Sequence, residues 1–253
     1  MNLQRHPVNP WGAIPVVLAL ALWELVARLG LLPGGIIFPP FSAVARELYE
    51  LARTGVLAQN FLPSLKRVLL GFVAGGLAGM IVGTAMGWKR QVNETLGPIL
   101  SLLYPIPALA WLPLLMIWIG ISEFLPVAIV FICSFFPICY TTATGIRNVD
   151  RRYVDAARSL GTSEPRILAE VVFPLALPDI FTGLRLEAGM AWRVIIAAEM
   201  VAIPTGMGAL MMRSESLIRV DTIIACLFVL SIMCFCFERA LFLLEQKITA
   251  EWR

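Results

Sequence analysis

The chain has 253 residues, of which 59% are hydrophobic and 15% charged, with a formal net charge of +3. A soluble domain of this length carries about 25% charged residues, so the composition points to a membrane-embedded chain. The basic residues stand at the ends of apolar runs, which is a topology signal rather than a nucleic-acid-binding surface.

Residues 1–10 are polar and carry Arg5 and the single histidine, His6, which leaves no room for histidine catalysis or a histidine metal site. Trp11 to Ala27 is apolar and belongs to a first span over residues 11–29. Glu24 and Arg28 stand where a signal peptide needs small residues for cleavage, so this span is expected to stay uncleaved. Residues 30–40 are rich in helix breakers. Over 41–53, Phe41, Val44, Leu48 and Leu51 fall at helical spacing with charges elsewhere, which suits a helix in the membrane interface or a solvated connector helix.

Ser64 to Gly87 reads as a second span with Gly71, Gly75, Gly79, Gly83 and Gly87 at every fourth position. Such a ridge lets another helix backbone approach closely, within one copy or between two. Four-residue steps drift by about 40° each on a helix, so the ridge winds around the span. Pro98 to Ile119 reads as a third span, interrupted by Pro105, Pro107 and Pro113, whose freed carbonyls need protein or a cavity to satisfy them. Gly120 to Glu123 is a tight turn. Phe124 to Gly145 is a fourth span, Asp179 to Ile203 a fifth and Asp221 to Leu244 a sixth. Six spans place both termini on one side. Lys89, Arg90, the basic loop 147–166 and Lys247 then share that side with Arg5 and Arg253, so it is expected to be cytoplasmic. The fold class is all-α and polytopic, one transmembrane domain over 1–253 with its core over 64–244.

Nothing in the chain looks catalytic. It has no Walker A, HExxH or GxSxG motif, and the five cysteines lie singly in apolar segments as packing residues, so neither a bound metal nor a cofactor is expected.

The longest stretch too polar for a membrane lies over 147–174, between the fourth and fifth spans. It reads as two short helices broken at Gly161, with Asp150 capping the first, Thr162 capping the second and Pro165 in the second's first turn. Asp155-Ala156-Ala157, then Gly161, then Val171, Phe173 and Pro174 resemble the cytoplasmic loop of bacterial ABC-importer permeases. That family's pattern is Glu-Ala-Ala, three residues, Gly, nine residues, apolar, any, apolar, Pro. The spacing fits throughout, with Asp155 where Glu is usual. Ser64-x-x-Arg67, Pro105-x-Pro107, AWLPLLMIWIG from Ala110, Leu177-Pro178, Gly183-Leu184-Arg185 and Ala197-Ala198-Glu199 are similar to the branch that moves taurine, alkanesulfonates, nitrate and bicarbonate.

The resemblance implies one permease subunit in a bacterial inner membrane, with both termini cytoplasmic. Two copies would pair, with two cytoplasmic ATPases and an extracytoplasmic solute-binding protein. ATP and Mg²⁺ would be held by the ATPase, and Asp155, Ala156, Ala157, Gly161 and Pro174 would couple to it. In the fifth span Glu187, Arg193 and Glu199 are charges at a depth where each costs about 2.5–3.5 kcal/mol to insert. Arg193, beside Trp192, is expected either to line the path and favour an anionic solute or to form an internal ion pair with Glu187 or Glu199. Trp192, Glu199, Tyr140 and Thr141 are further candidates for the path, the alternative being a structural role for Glu199 and bonds to helix neighbours for the hydroxyls.

Overall fold

The computed structural model describes residues 13–30 and 37–249. Expectations resting on Arg5, His6, Trp11, residues 31–36 and Arg253 lie outside the described residues. The elements are α1 (Ala13–Arg28), α2 (Phe41–Arg53), α3 (Val56–Trp88), α4 (Arg90–Leu103), a 3₁₀ turn (Ala108–Trp111), α5 (Leu112–Ile119), α6 (Phe124–Asn148), α7 (Arg151–Ser159), α8 (Glu164–Ile167), a π-helical turn (Leu168–Val172), α9 (Phe173–Ala202), α10 (Met207–Ser216) and α11 (Val220–Thr249). Among the described residues there is no strand.

Four elements are long and apolar enough to cross a membrane: α3, α6, α11 and the unbroken run Glu164–Ala202. The expected third span is not straight. α4 and the segment Ala108–Ile119 meet at 85°, and counted as one span they make a fifth. The cause is local: Pro105 and Pro107 lack the amides that would continue α4, and the chain restarts from the Pro107 carbonyl, which accepts from Ala110 at 2.8 Å. The described α1 has 16 residues, and the first of the expected six spans begins at Trp11, outside the described residues, so among the described residues up to five spans are counted.

The expected fifth span from Asp179 belongs to a longer helical run, because helix continues back through the loop to Glu164. Pro174 would clash with the carbonyl of Glu170 in a regular α-helix. Glu170 lies inside the π turn, where the wider pitch makes room. The second loop helix and the fifth span are therefore one rod.

The chain forms two compact units, residues up to 58 with 210–229, and 59–209 with 230–253. In the first, Trp23 stacks on Phe228 at 6.2 Å, meets Phe41 edge-on at 5.7 Å and donates to the Pro39 carbonyl at 3.1 Å. The apolar face of α2, Val44 and Leu51, is buried with Ala225 rather than open to lipid. Glu47 on its polar side pairs with Arg219 at 2.6 Å and accepts from Thr222 at 2.9 Å.

In the second unit the glycine ridge of α3 lies against α6. A Cβ added at Gly71 would sit 2.7 Å from the Val127 carbonyl oxygen, at Gly75 2.6 Å from that of Phe131, and at Gly79 2.7 Å from that of Phe135. One at Gly83 would strike the Cys139 carbonyl, and one at Gly87 would come 2.6 Å from Ile146. The acceptors step by four along α6 as the glycines do along α3, so two four-residue ridges interlock within one chain.

Gly75→Leu and Gly79→Leu are each expected to destabilise by about 3 kcal/mol through overpacking, read as a lowered thermal midpoint of the purified protein in detergent. Gly189→Ala, where an added Cβ meets nothing within 4 Å, is expected to leave the midpoint unchanged or raise it.

Candidate functional site

The loop between the fourth and fifth spans is built from local rules. Asp150 caps α7 by accepting from the Arg152 amide at 2.9 Å. At the other end Gly161 takes φ +81°. Its amide bonds Arg158 and that of Thr162 bonds Ala157, the paired closure of a Schellman turn. The cap of α8 is Ser163, one residue later than expected, and it acts through its carbonyl, which accepts from Arg166 and Ile167. Arg158 forks onto Glu164 at 2.6 and 3.0 Å and clasps the two helices together. The Arg158 hydrogen bond holds the Glu164 carboxyl below its ordinary value. The clasp is complete above the ordinary carboxylate pKa and is lost as pH falls through the lowered one.

α7 presents two different sides. Val154 is buried with Ile146, Ile167, Val172, Ala176 and Ile180, tying the helix to the ends of α6 and α9. Tyr153, Ala156 and Leu160 point outward, Leu160 at 86% exposure. Asp155, Ala156 and Gly161 are exposed, while Ala157 and Pro174 are half-buried. A small-residue ridge flanked by an uncovered leucine and tyrosine suits a groove in another protein.

The candidates for the path separate. Trp192 is 1% exposed and stacks on Phe61 at 6.1 Å, so it packs rather than lining an open path. Glu199 is fully buried, accepting from Ser64 Oγ at 2.7 Å, from Arg67 Nη1 at 2.6 Å and from the Gly208 amide at 3.1 Å. Arg193 is exposed and pairs with neither Glu187 nor Glu199; its Nη1 lies 3.4 Å from the Met190 sulfur. Among the described residues no carboxylate pairs with it. Tyr140 bonds Ser101 at 2.7 Å, and Thr141 donates to the Pro137 carbonyl at 3.0 Å. Both border a cleft of about 320 Å³ with Thr144, Asn148, Asp179 and Thr182.

The strongest polar cluster lies at the end of the unit opposite α7. Arg67, 3% exposed, reaches Glu199 with one amine, Glu123 with Nε at 2.8 Å and Thr205 with Nη2 at 2.7 Å. Ser64 Oγ also accepts from the Met207 amide at 2.9 Å. Gly206, at φ +115°, leaves room for the Glu199 carboxylate, which any Cβ there would strike. Sequence reasoning named Arg67 only within a motif and treated Glu123 as a turn residue. Asp179 appeared only as the start of a span, although an acid inside an apolar helix is itself the signal that would have marked it.

The family described as binding-protein-dependent transport system inner membrane component matches over residues 75–250. The chain belongs to this family. The permease is 37% identical over 93% of its length to an ABC transporter permease protein of Methanocaldococcus jannaschii, covering 89% of that protein. It is 34% identical over 98% of its length to the taurine transport system permease protein TauC of Escherichia coli, covering 90% of it. It is 35% identical over 72% of its length to the bicarbonate transport system permease protein CmpB of Synechococcus elongatus, covering 68% of it. A chain of the MetNI methionine ABC transporter in an inward-facing conformation shares the fold, with a TM-score of 0.68 at 15% identity over 76% of this chain and 96% of that one. The permease is thus a multi-pass membrane transport component and not an enzyme.

Removing one partner of a buried ion pair strands the other. Arg67→Ala is therefore expected to cost about 3–5 kcal/mol. Glu123→Gln is expected to cost less than about 1 kcal/mol, because the Glu123 side chain is 71% exposed. Thermal unfolding of the two variants in detergent measures the ratio.

Proposed function

We propose that this permease forms the path of an ATP-driven importer for a small anionic solute, an alkanesulfonate such as taurine. Two copies pair in a bacterial inner membrane with both termini cytoplasmic. Two cytoplasmic ATPases hold ATP and Mg²⁺, and a solute-binding protein delivers the solute on the far side. The observation that carries the substrate class is the similarity to the taurine permease TauC over nearly the whole chain. The uncompensated Arg193 on α9 supports it, since a guanidinium offers forked donors to a sulfonate. Similarity to the bicarbonate permease CmpB favours a second reading, with bicarbonate as the anion.

The mechanism follows from stiffness. α7 seats its exposed Tyr153, Ala156 and Leu160 in an ATPase groove. The Gly161 turn and the Arg158–Glu164 clasp fix α7 to α8, and α8 continues into α9 without a break. Closure of the ATPases on ATP then moves α9 with α7, and the path opens alternately to the two sides. No bond in the solute is made or broken.

The test is ATP hydrolysis by the permease with its cognate ATPase and binding protein in lipid, against taurine, longer alkanesulfonates, nitrate, bicarbonate and a neutral pyrimidine. Stimulation by a sulfonate, reduced at least tenfold in Arg193→Ala with basal hydrolysis kept, is the expected result. Leu160→Glu is expected to abolish stimulation and to weaken ATPase association. Stimulation by the neutral solute alone overturns the anion reading.

A further inference from the structure

α9 has one open face. Asp179, Thr182, Leu186, Met190 and Arg193 are all exposed on it, and Asp179 and Arg193 fall within about 40° of each other on the helix. The other sides are buried by Phe181, Ala188, Ala191, Ile195 and Ala198. A face turned to lipid does not carry a carboxylate and a guanidinium, so this face borders water or a second copy. The two charges are opposite in sign and 14 residues apart, about 21 Å along the axis.

Asp179 stands where two clefts meet. One, of about 320 Å³, runs past Tyr140, Thr141, Thr144 and Thr182; the other, of about 220 Å³, runs past Asp150 and Tyr153 toward α7. Gly145 admits Asp179 against α6, since a Cβ there would lie 2.9 Å from the Asp179 Cβ. The Asn148 amide donates to the carboxylate at 3.5 Å, and among the described residues no cation pairs with it. Thr141 and Thr182 turn their hydroxyl protons back to the Pro137 and Pro178 carbonyls, which leaves their oxygens free to accept. The cleft thus offers a carboxylate and several acceptors, a setting for an ammonium group and a barrier to a bare anion.

We propose that Asp179, with the hydroxyls of the cleft between α6 and α9, is a site for the ammonium end of a zwitterionic solute, an aminoalkanesulfonate, on its way to the α7 side. It rests on the importer reading above, and it makes Asp179 the residue that separates amino-sulfonates from plain sulfonates and inorganic anions. Arg193 and Asp179 are too far apart to hold one small solute at once, so they act in sequence on its two ends.

The test does not depend on the binding protein. In the lipid-embedded complex, Thr144→Cys is labelled with 2-aminoethyl methanethiosulfonate, a cation, and with 2-sulfonatoethyl methanethiosulfonate, an anion. Mass spectrometry reads both rates at that peptide and, as a control outside the membrane, at Gln91→Cys beside the basic loop before α4. Expected is an excess of the cation of about tenfold at Thr144→Cys, falling to about one in Asp179→Asn and restored in Asp179→Glu, with Gln91→Cys unchanged throughout. Taurine and ethylammonium slow the labelling and ethanesulfonate does not. A ratio near one with Asp179 present, or a ratio that Asp179→Asn leaves alone, overturns the site. Absence of any sulfonate-stimulated ATP hydrolysis in the unsubstituted complex refutes the transport reading separately, because the labelling ratio still decides whether the cleft takes cations.

Discussion

Close approach of two backbones is the constraint on which the larger unit depends. In lipid, apolar side chains gain nothing by leaving their surroundings, so helices associate through contact area and polar bonds. Five glycines on α3 let it lie against the carbonyls of α6 with no side chain between them. α6 in turn packs along α9, and these helices border the cleft and the α7 loop. A side chain inserted at the ridge would displace α6, and with it one wall of everything described at the site.

The ends of the bundle are held differently. Opposite α7, a buried guanidinium bridges two carboxylates and gathers the turn before α10 through Ser64 and Gly208. Such a cluster stabilises little over an apolar core but fixes one arrangement firmly, because each charge is stranded without its partners. At the α7 end the loop is closed by backbone turns and a surface clasp, with its outer face uncovered. The rigid, internally satisfied end and the open end suit one fixed anchor and one surface that meets another protein.

Much of this was legible in residues. The α7 loop follows from Asp150, Gly161 and the Asp-Ala-Ala spacing because capping and left-handed turns are local rules. The glycine periodicity announced close packing but not its partner, which depends on where α6 runs. The break at Pro105 and Pro107 was visible as prolines, yet its 85° angle was not. The continuity of the second loop helix with the fifth span was not legible, because a π turn that accommodates a proline has no periodicity of its own. Trp192 was placed on the path by adjacency to Arg193, although neighbours on a helix point about 100° apart. The Arg67 cluster joins residues more than fifty positions apart, and no spacing rule reaches that far.

The π turn at Leu168–Val172 also sets a phase. A turn of this kind holds one residue more than an α-turn, and each residue rotates a helix by about 100°. Deleting a single residue there would swing α7 by that angle around the axis of α9 and set Pro174 against the carbonyl one turn before it. The azimuth of the loop relative to Asp179 and Arg193 is therefore encoded in one surplus residue, and the length of this segment is as much a part of the design as its composition.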